Sequence, residues 1–212
     1  MLPHQMSDKV KFPRAQALPV AQAICAGLKP LIVPEHLLVC GSLRRRKAEV
    51  GDVEFVFIPR LEDRPDPFDL FGKPVPTDLV GAWLEECLKA GRLAKRPNKK
   101  GFFTWGAQNK LGLWLVAPEV TRGNPPPDVV GYATMPVDFF ATTRANWWLT
   151  VVIRTGPKEL NLRLIAGARK KGLELHAYGV FTEIATQQPV IPRSERHVFE
   201  LCGEPYLEPW ER

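Results

Sequence analysis

Two apolar runs, each interrupted by a single acid, limit what this chain can fold into more than any other feature. VEFVFIP (53–59) and MPVDFFATT (135–143) are dense in β-branched and aromatic residues and predict strands. Glu54 breaks the first and Asp138 the second. Alternate residues of a strand face the same side, so Asp52 and Glu54, at i and i+2, project together. Like charges placed so close repel and raise each other's pKa. A divalent cation relieves the repulsion, and hard cations prefer oxygen ligands. Asp138, set into its strand in the same manner, is the best third carboxylate for a site of two Mg²⁺ ions. The plain alternative makes Asp52 a turn residue and Glu54 an edge-strand acid facing water.

The residues just upstream weigh on that choice. CGSLRRRKAEVGDVEF (40–55) puts a Gly-Ser pair and three arginines ahead of the acids. A Gly41-Ser42 turn at a strand end presents backbone N–H groups to an anion. The Ser42 hydroxyl and the guanidinium groups of Arg44, Arg45 and Arg46 add donors for phosphate oxygens. Opposed charges in one short segment suit a substrate that carries phosphates, with metals seated between. Two such metals clamp the attacking and leaving oxygens of an in-line phosphoryl displacement.

With 212 residues the chain is one large domain, or one domain with a small annex, and is long enough for a real core. No apolar run approaches the roughly 18 residues of a membrane span, and MLPHQMSDKVKFPR lacks the apolar core of a secretory signal. Both point to a cytoplasmic protein with no membrane partner. The four cysteines stand apart without a CxxC pair, as buried free thiols do in a reducing compartment. A net charge of +6 fits a polyanion partner and is weak evidence alone.

Along the chain, residues 14–28 predict a helix with Leu18, Ala21, Ile24, Cys25 and Leu28 on one face and Pro19 in its first turn or at its start. LLVCGS (37–42) predicts a strand running into a turn. A Pro- and Asp-rich loop fills 60–76, Thr77 caps a helix with Leu79, Val80, Trp83, Leu84, Cys87 and Leu88 on one face, and Gly91 ends it. KRPNKKG (95–101) is a basic turn, FFTWG (102–106) and LWLVAP (113–118) are strands, and 120–128 is a loop. From Asn146 the pattern becomes helix, turn, helix. Leu160, Leu164, Ile165 and Ala168 line the second helix, Gly172 closes it, and LELHAYGVF (173–181) is a strand. The architecture is α+β, with a mixed, mostly antiparallel sheet backed by the 14–28 and 77–91 helices.

GSLRRRKAEVGDVEFV resembles the signature of the polymerase-beta-type nucleotidyltransferases, specifically the family X DNA polymerases. In their pattern a Gly-Ser pair precedes arginines, and a G-D-[IV]-[DE] run follows at the spacing seen from Gly41 to Asp52. PVDFF (136–140) is similar to their third-acid strand. RTGPKELNLRLIAGARKKGLELHAYGVF (154–181) is similar to their thumb, and GEPYLEPWER to their C-terminal ending. The resemblance covers roughly 14–59 and 130–212. It implies a nucleotidyltransferase palm over 1–143 and a small thumb over 144–212.

Carried over by position, the resemblance makes Asp52, Glu54 and Asp138 the catalytic metal ligands, with Mn²⁺ as a substitute for Mg²⁺. Asp138 would also help activate the primer 3′-OH. Gly41, Ser42, Arg44 and Arg45, with the Gly51 backbone, would hold the triphosphate. Thr155, Gly156 and Asn161 would line the sugar and base. Three departures stand out. Glu54 replaces the usual second Asp. Ile153 and Arg154 replace the aromatic pair ahead of the T-G turn, where the family screens the sugar. Pro157 follows Gly156, which predicts a cis Gly156–Pro157 bond, because proline lowers the cost of cis from roughly 3 to roughly 1 kcal/mol.

Between Arg154 and Lys171 stand six basic residues and one acid, Glu159. Arg154, Lys158, Arg169, Lys170 and Lys171 would meet a phosphodiester backbone there, as would Lys95, Arg96, Lys99 and Lys100 of the basic turn. A solvated helix face is the other reading of the same run. Trp147 and Trp148 read as core. The first functional expectation is a monomeric, metal-dependent DNA polymerase of family X. It would add a dNTP to the primer 3′-OH of a primer–template or gapped duplex and release pyrophosphate, in gap-filling repair. The second is a nucleotidyltransferase that modifies a small molecule or protein, a class that Asp-x-Glu slightly favours.

Overall fold

The computed structural model describes residues 10–65, 73–116, 134–176 and 180–212. A two-residue strand β1 (Phe12–Pro13) leads into helix α1 (Arg14–Leu28), a 3-10 turn (Lys29–Leu31) and strand β2 (Ile32–Val39). One helical turn α2 (Gly41–Arg44), then β3 (Glu49–Val50), β4 (Val53–Pro59), β5 (Leu61–Arg64) and β6 (Val75–Asp78) follow. Next come α3 (Leu79–Lys89), β7 (Leu93–Lys95), β8 (Asn109–Leu115) and β9 (Thr134–Ala141). The C-terminal part holds α4 (Trp147–Thr155), α5 (Lys158–Lys170), β10 (Leu173–Leu175), β11 (Phe181–Glu183), β12 (Pro189–Val190) and α6 (Glu195–Leu201).

The main sheet has the order β2-β4-β9-β8-β7. Only the central pair, β4 with β9, is parallel, and the other three pairings are antiparallel. The two-residue strand period sorts its side chains. Val53, Phe55 and Phe57 of β4 and Met135, Val137 and Phe139 of β9 pack against Ala17, Val20, Ile24 and Leu28 of α1 and Val80, Leu84 and Cys87 of α3. Phe55 and Phe139 stack with centroids 5.4 Å apart. The intervening Val56, Ile58 and Phe140 face the other way and meet Cys40, with Trp147 and Val151 of α4. A further core joins Leu149 and Val152 of α4, Leu160, Leu164 and Ala168 of α5, Phe181, and Val198 and Phe199 of α6. Glu54 and Asp138 therefore belong to the sheet face turned away from α1 and α3.

Several elements depart from the sequence expectation. Pro19 lies inside α1 beyond its first turn, at an exposed position, so the helix continues with one backbone donor missing. β2 starts at Ile32 rather than Leu37. Glu35 takes φ 66° and the register shifts between Ile32 and Leu37, a bulge that hides the strand behind Pro34. The expected 60–76 loop contains β5 and the start of β6, which pair antiparallel, and residues 66–72 lie outside the described residues. Asp78, not Thr77, caps α3, its Oδ1 accepting from the Val80 N–H at 2.9 Å. The Thr77 hydroxyl instead donates to the Val75 carbonyl at 3.2 Å. FFTWG is no strand and makes only the bridges Pro97–Phe103 and Trp105–Lys110. LELHAYGVF is an antiparallel pair, β10 with β11, with residues 177–179 outside the description. The expected loop at 120–128 lies outside it too. The Gly156–Pro157 bond between α4 and α5 is cis, as expected. All four cysteines are free thiols. Among the described residues no helix is long and apolar enough to cross a membrane.

Candidate active site

The β4–β9 register puts Glu54 opposite Asp138. Partners in a ladder share a face, so the two carboxylates of separate apolar strands stand side by side. Asp52 lies two residues before Glu54, just ahead of β4. Asp138 is 7% exposed, and its charge is answered by a guanidinium: Arg96 Nη2 lies 2.5 Å from Oδ1. The Arg96 side chain reaches across a strand to do this. Its backbone N–H donates to the Leu111 carbonyl at 2.9 Å, and Leu111 is the β8 partner of Asp138. Glu54, Asp138, Leu111 and Arg96 thus form one row across the sheet. Arg96 was expected on a phosphodiester backbone. The structure gives it to Asp138, because a buried carboxylate requires a close partner.

Glu54 is placed by the glycine loop. A Cβ on Gly41 would fall 1.9 Å from Glu54 Oε2, and Gly41 has φ +63°. Only glycine suits that backbone and leaves that space. The Cys40 N–H also donates to the Glu54 carbonyl at 2.7 Å. Among the described residues, no three His, Cys, Asp or Glu side chains are gathered as a finished metal cage. The donor set still suits a hard cation: carboxylates on two register partners, with a third two residues upstream.

The arginines of the loop divide. Arg45 sits between the acids and the α4–α5 turn. Its Nη1 donates to the Thr155 carbonyl, and a Cβ on Gly156 would lie 3.2 Å from that nitrogen. Burial lowers the Arg45 pKa, with the Glu54 and Asp52 charges pulling it back up. Its Nε is buried without a hydrogen-bond partner. Arg44, expected on the triphosphate, is turned away. It donates to Thr155 Oγ1 at 2.7 Å and to both Glu195 carboxylate oxygens. Glu195 also accepts from Arg212 Nη2 at 2.7 Å, and the Arg212 side chain is wholly buried. Burial would raise the Glu195 pKa, but hydrogen bonds and charge from Arg44 and Arg212 outweigh it and hold the carboxyl below its ordinary value. A buried carboxylate between two guanidinium groups ties α2, α4, α6 and the last residue together. Ser194 and Glu195 give no motif signal that foretells this.

Two other expected nucleotide contacts are taken up internally. Thr155 is 0% exposed, and its hydroxyl donates to the Val151 carbonyl at 2.7 Å. Asn161 donates to the Ile153 carbonyl at 2.9 Å, and its Oδ1 is buried. Both brace the end of α4, where helical carbonyls need donors. Gly156 is buried, while Ser42 and Gly51 are half-buried beside the acids.

Residues 150–212 match the family model of the DNA polymerase beta thumb. Leishmania infantum polymerase beta, in a ternary P/T complex, superimposes with a TM-score of 0.67 at 20% identity, over 96% of this chain and 77% of that one. Residues 150–212 are thus similar to the polymerase-beta thumb, and the fold is that of polymerase beta. No curated protein matches the chain.

The basic residues expected on DNA separate into three places. The Arg154 guanidinium lies 3.7 Å over the Phe140 ring, and Phe140 follows Asp138 by two residues on the same sheet face. Arg154, expected on a phosphodiester backbone, therefore stands on the sheet face that carries Asp138. Lys158 opens α5, while Arg169, Lys170 and Lys171 close it, all exposed, with about 18 Å between the two ends. Lys99 and Lys100 are exposed on the turn between β7 and β8.

Proposed function

We propose that this chain is a metal-dependent DNA polymerase of family X, with a palm over 1–143 and a thumb over 144–212. It adds a dNTP to a primer 3′-OH on primer–template or gapped DNA, as a cytoplasmic monomer in gap-filling repair. The observation that carries this reading is the pairing of Glu54 with Asp138 across the parallel strands, beside Arg45.

Asp52, Glu54 and Asp138 would hold two Mg²⁺ ions, with Mn²⁺ able to replace them. Those ions supply Lewis-acid stabilisation of the phosphoryl oxygens when bound. The chain's own residues do the rest. The Ser42 hydroxyl, Arg45 and the Gly51 backbone hold the β and γ phosphates. Asp138, fixed by Arg96, takes up the proton as the 3′-oxygen forms its bond to the α-phosphorus. The bond from that phosphorus to the β-phosphate oxygen breaks, and pyrophosphate leaves. Gly156 presents no side chain where the nucleotide passes Arg45.

A second reading is transfer of a nucleotide to a small molecule or protein, favoured by Glu54 in place of aspartate. Primer extension with each dNTP, with and without template, in Mg²⁺ or Mn²⁺, separates the two. The Asp138→Ala protein is expected to fold, to bind DNA and to incorporate nothing. Normal extension by that variant would remove Asp138 from the mechanism.

A further inference from the structure

The turn between β7 and β8 is a built platform. Asn98 N–H donates to the Phe102 carbonyl at 2.8 Å and Gly101 N–H to the Asn98 carbonyl at 2.9 Å. Asn98 Oδ1 accepts from the Lys100 and Phe102 N–H groups at 2.9 and 3.2 Å, and its Nδ2 donates to Thr104 Oγ1 at 3.3 Å. Pro97 pairs with Phe103, and Trp105 Nε1 donates to Glu85 of α3 at 2.7 Å. On this fixed frame Phe102 is 68% exposed and Phe103 is 65% exposed.

One exposed apolar residue is ordinary. Two adjacent phenylalanines on a turn this well tied offer flat apolar faces at small entropic cost to whatever covers them. The neighbouring charges select the occupant. Lys99 and Lys100 stand three and two residues before Phe102, Lys95 precedes them on β7, and no acid occurs from Lys95 to Lys110. A partner with planar apolar faces and regular negative charge is a single-stranded stretch of nucleic acid, whose bases stack on aromatic rings while lysines track the phosphates. The turn also has an address. Phe103 pairs with Pro97, the residue after Arg96, which holds Asp138.

We propose that Phe102 and Phe103 form a stacking platform for an unpaired template base, with Lys99 and Lys100 on the adjoining phosphates. The inference rests on the reading that DNA is the substrate. It makes the platform a gauge of the strand to be copied, one residue pair from the arginine that positions the acid.

The test uses the full chain and its Phe102→Ala/Phe103→Ala variant. Fluorescence anisotropy measures binding to a blunt duplex and to the same duplex with a single-stranded template overhang. The double variant is expected to lose about tenfold in affinity for the overhang DNA, nothing for the blunt duplex, and to keep the same salt slope. The Lys99→Ala/Lys100→Ala variant is expected to lower that slope by about 1.5. Thermal melting of each variant checks that the fold is intact. Wild-type affinity of the double phenylalanine variant for the overhang DNA overturns the proposal, as does an equal loss on the blunt duplex. So does a wild-type dimer that the double variant dissolves while DNA binding stays unchanged. A wild-type chain that binds neither DNA at low salt overturns the polymerase reading itself, and this inference with it.

Discussion

A single methyl group at position 41 would land on a carboxylate oxygen. Gly41→Ala places its Cβ 1.9 Å from Glu54 Oε2 on a backbone of φ +63°. The expected cost is about 1–3 kcal/mol of stability, seen as a lower melting temperature, together with loss of nucleotide incorporation as Glu54 is displaced. An alanine variant that melts and extends primers like the wild type would mean the loop yields freely. Arg96 makes a second case. Arg96→Gln removes the charged partner of Asp138 and should cost about 1.5–3 kcal/mol, whereas Arg96→Gln/Asp138→Asn should regain most of it. Chemical denaturation of the two single variants and the double gives that coupling directly, and additive losses would show that the pair contributes little. Glu54 and Asp138 were legible in the sequence because an acid in an apolar strand breaks a simple period. Arg96 was not, since an arginine among other basic residues in a turn shows nothing of the strand it reaches across.

Elements followed their patterns where one face is buried. The α3 residues Val80, Leu84 and Cys87 lie in the core as their spacing predicts, and the same holds for Leu160, Leu164 and Ala168 of α5. Boundaries failed where a local residue competes. Pro34 and Glu35 disguise the start of β2, and Asp78 outcompetes Thr77 for the α3 cap because its carboxylate meets the Val80 N–H. The contact between α2 and α6 was invisible, since Arg44 reads as a phosphate ligand until Glu195 is placed beside it. That contact has a pH signature. The Glu195 carboxyl titrates below its ordinary value near 4.5. Its contribution to stability is therefore complete above that value and is lost as pH falls through the lower folded value. The melting temperature of the wild type should drop more steeply below about pH 4.5 than that of Glu195→Gln, which should start lower at pH 7. Parallel melting curves for the two proteins across that range would take Glu195 out of the account.

At the scale of the whole molecule, charge and topology remain. Net charge is +6, and exposed basic residues lie at both ends of α5 and on the 95–101 turn. Affinity for duplex DNA should fall steeply between 50 and 200 mM salt, by about 0.9 log units per log unit of salt for each phosphate contacted. A flat response in a salt titration would deny these lysines and arginines a role on the backbone. The main sheet was readable as mixed and mostly antiparallel, but the sequence could not say which pair runs parallel. That pair is β4–β9, two strands separated along the chain by β5, β6, α3, β7 and β8. Translation delivers Asp52 and Glu54 long before Asp138, so under the polymerase reading a ribosome-bound fragment ending ahead of β9 would hold a pair of acids with no third. On that reading the last central strand to emerge would serve as the molecule's safety catch, since the third acid joins the other two only when the middle of the sheet closes.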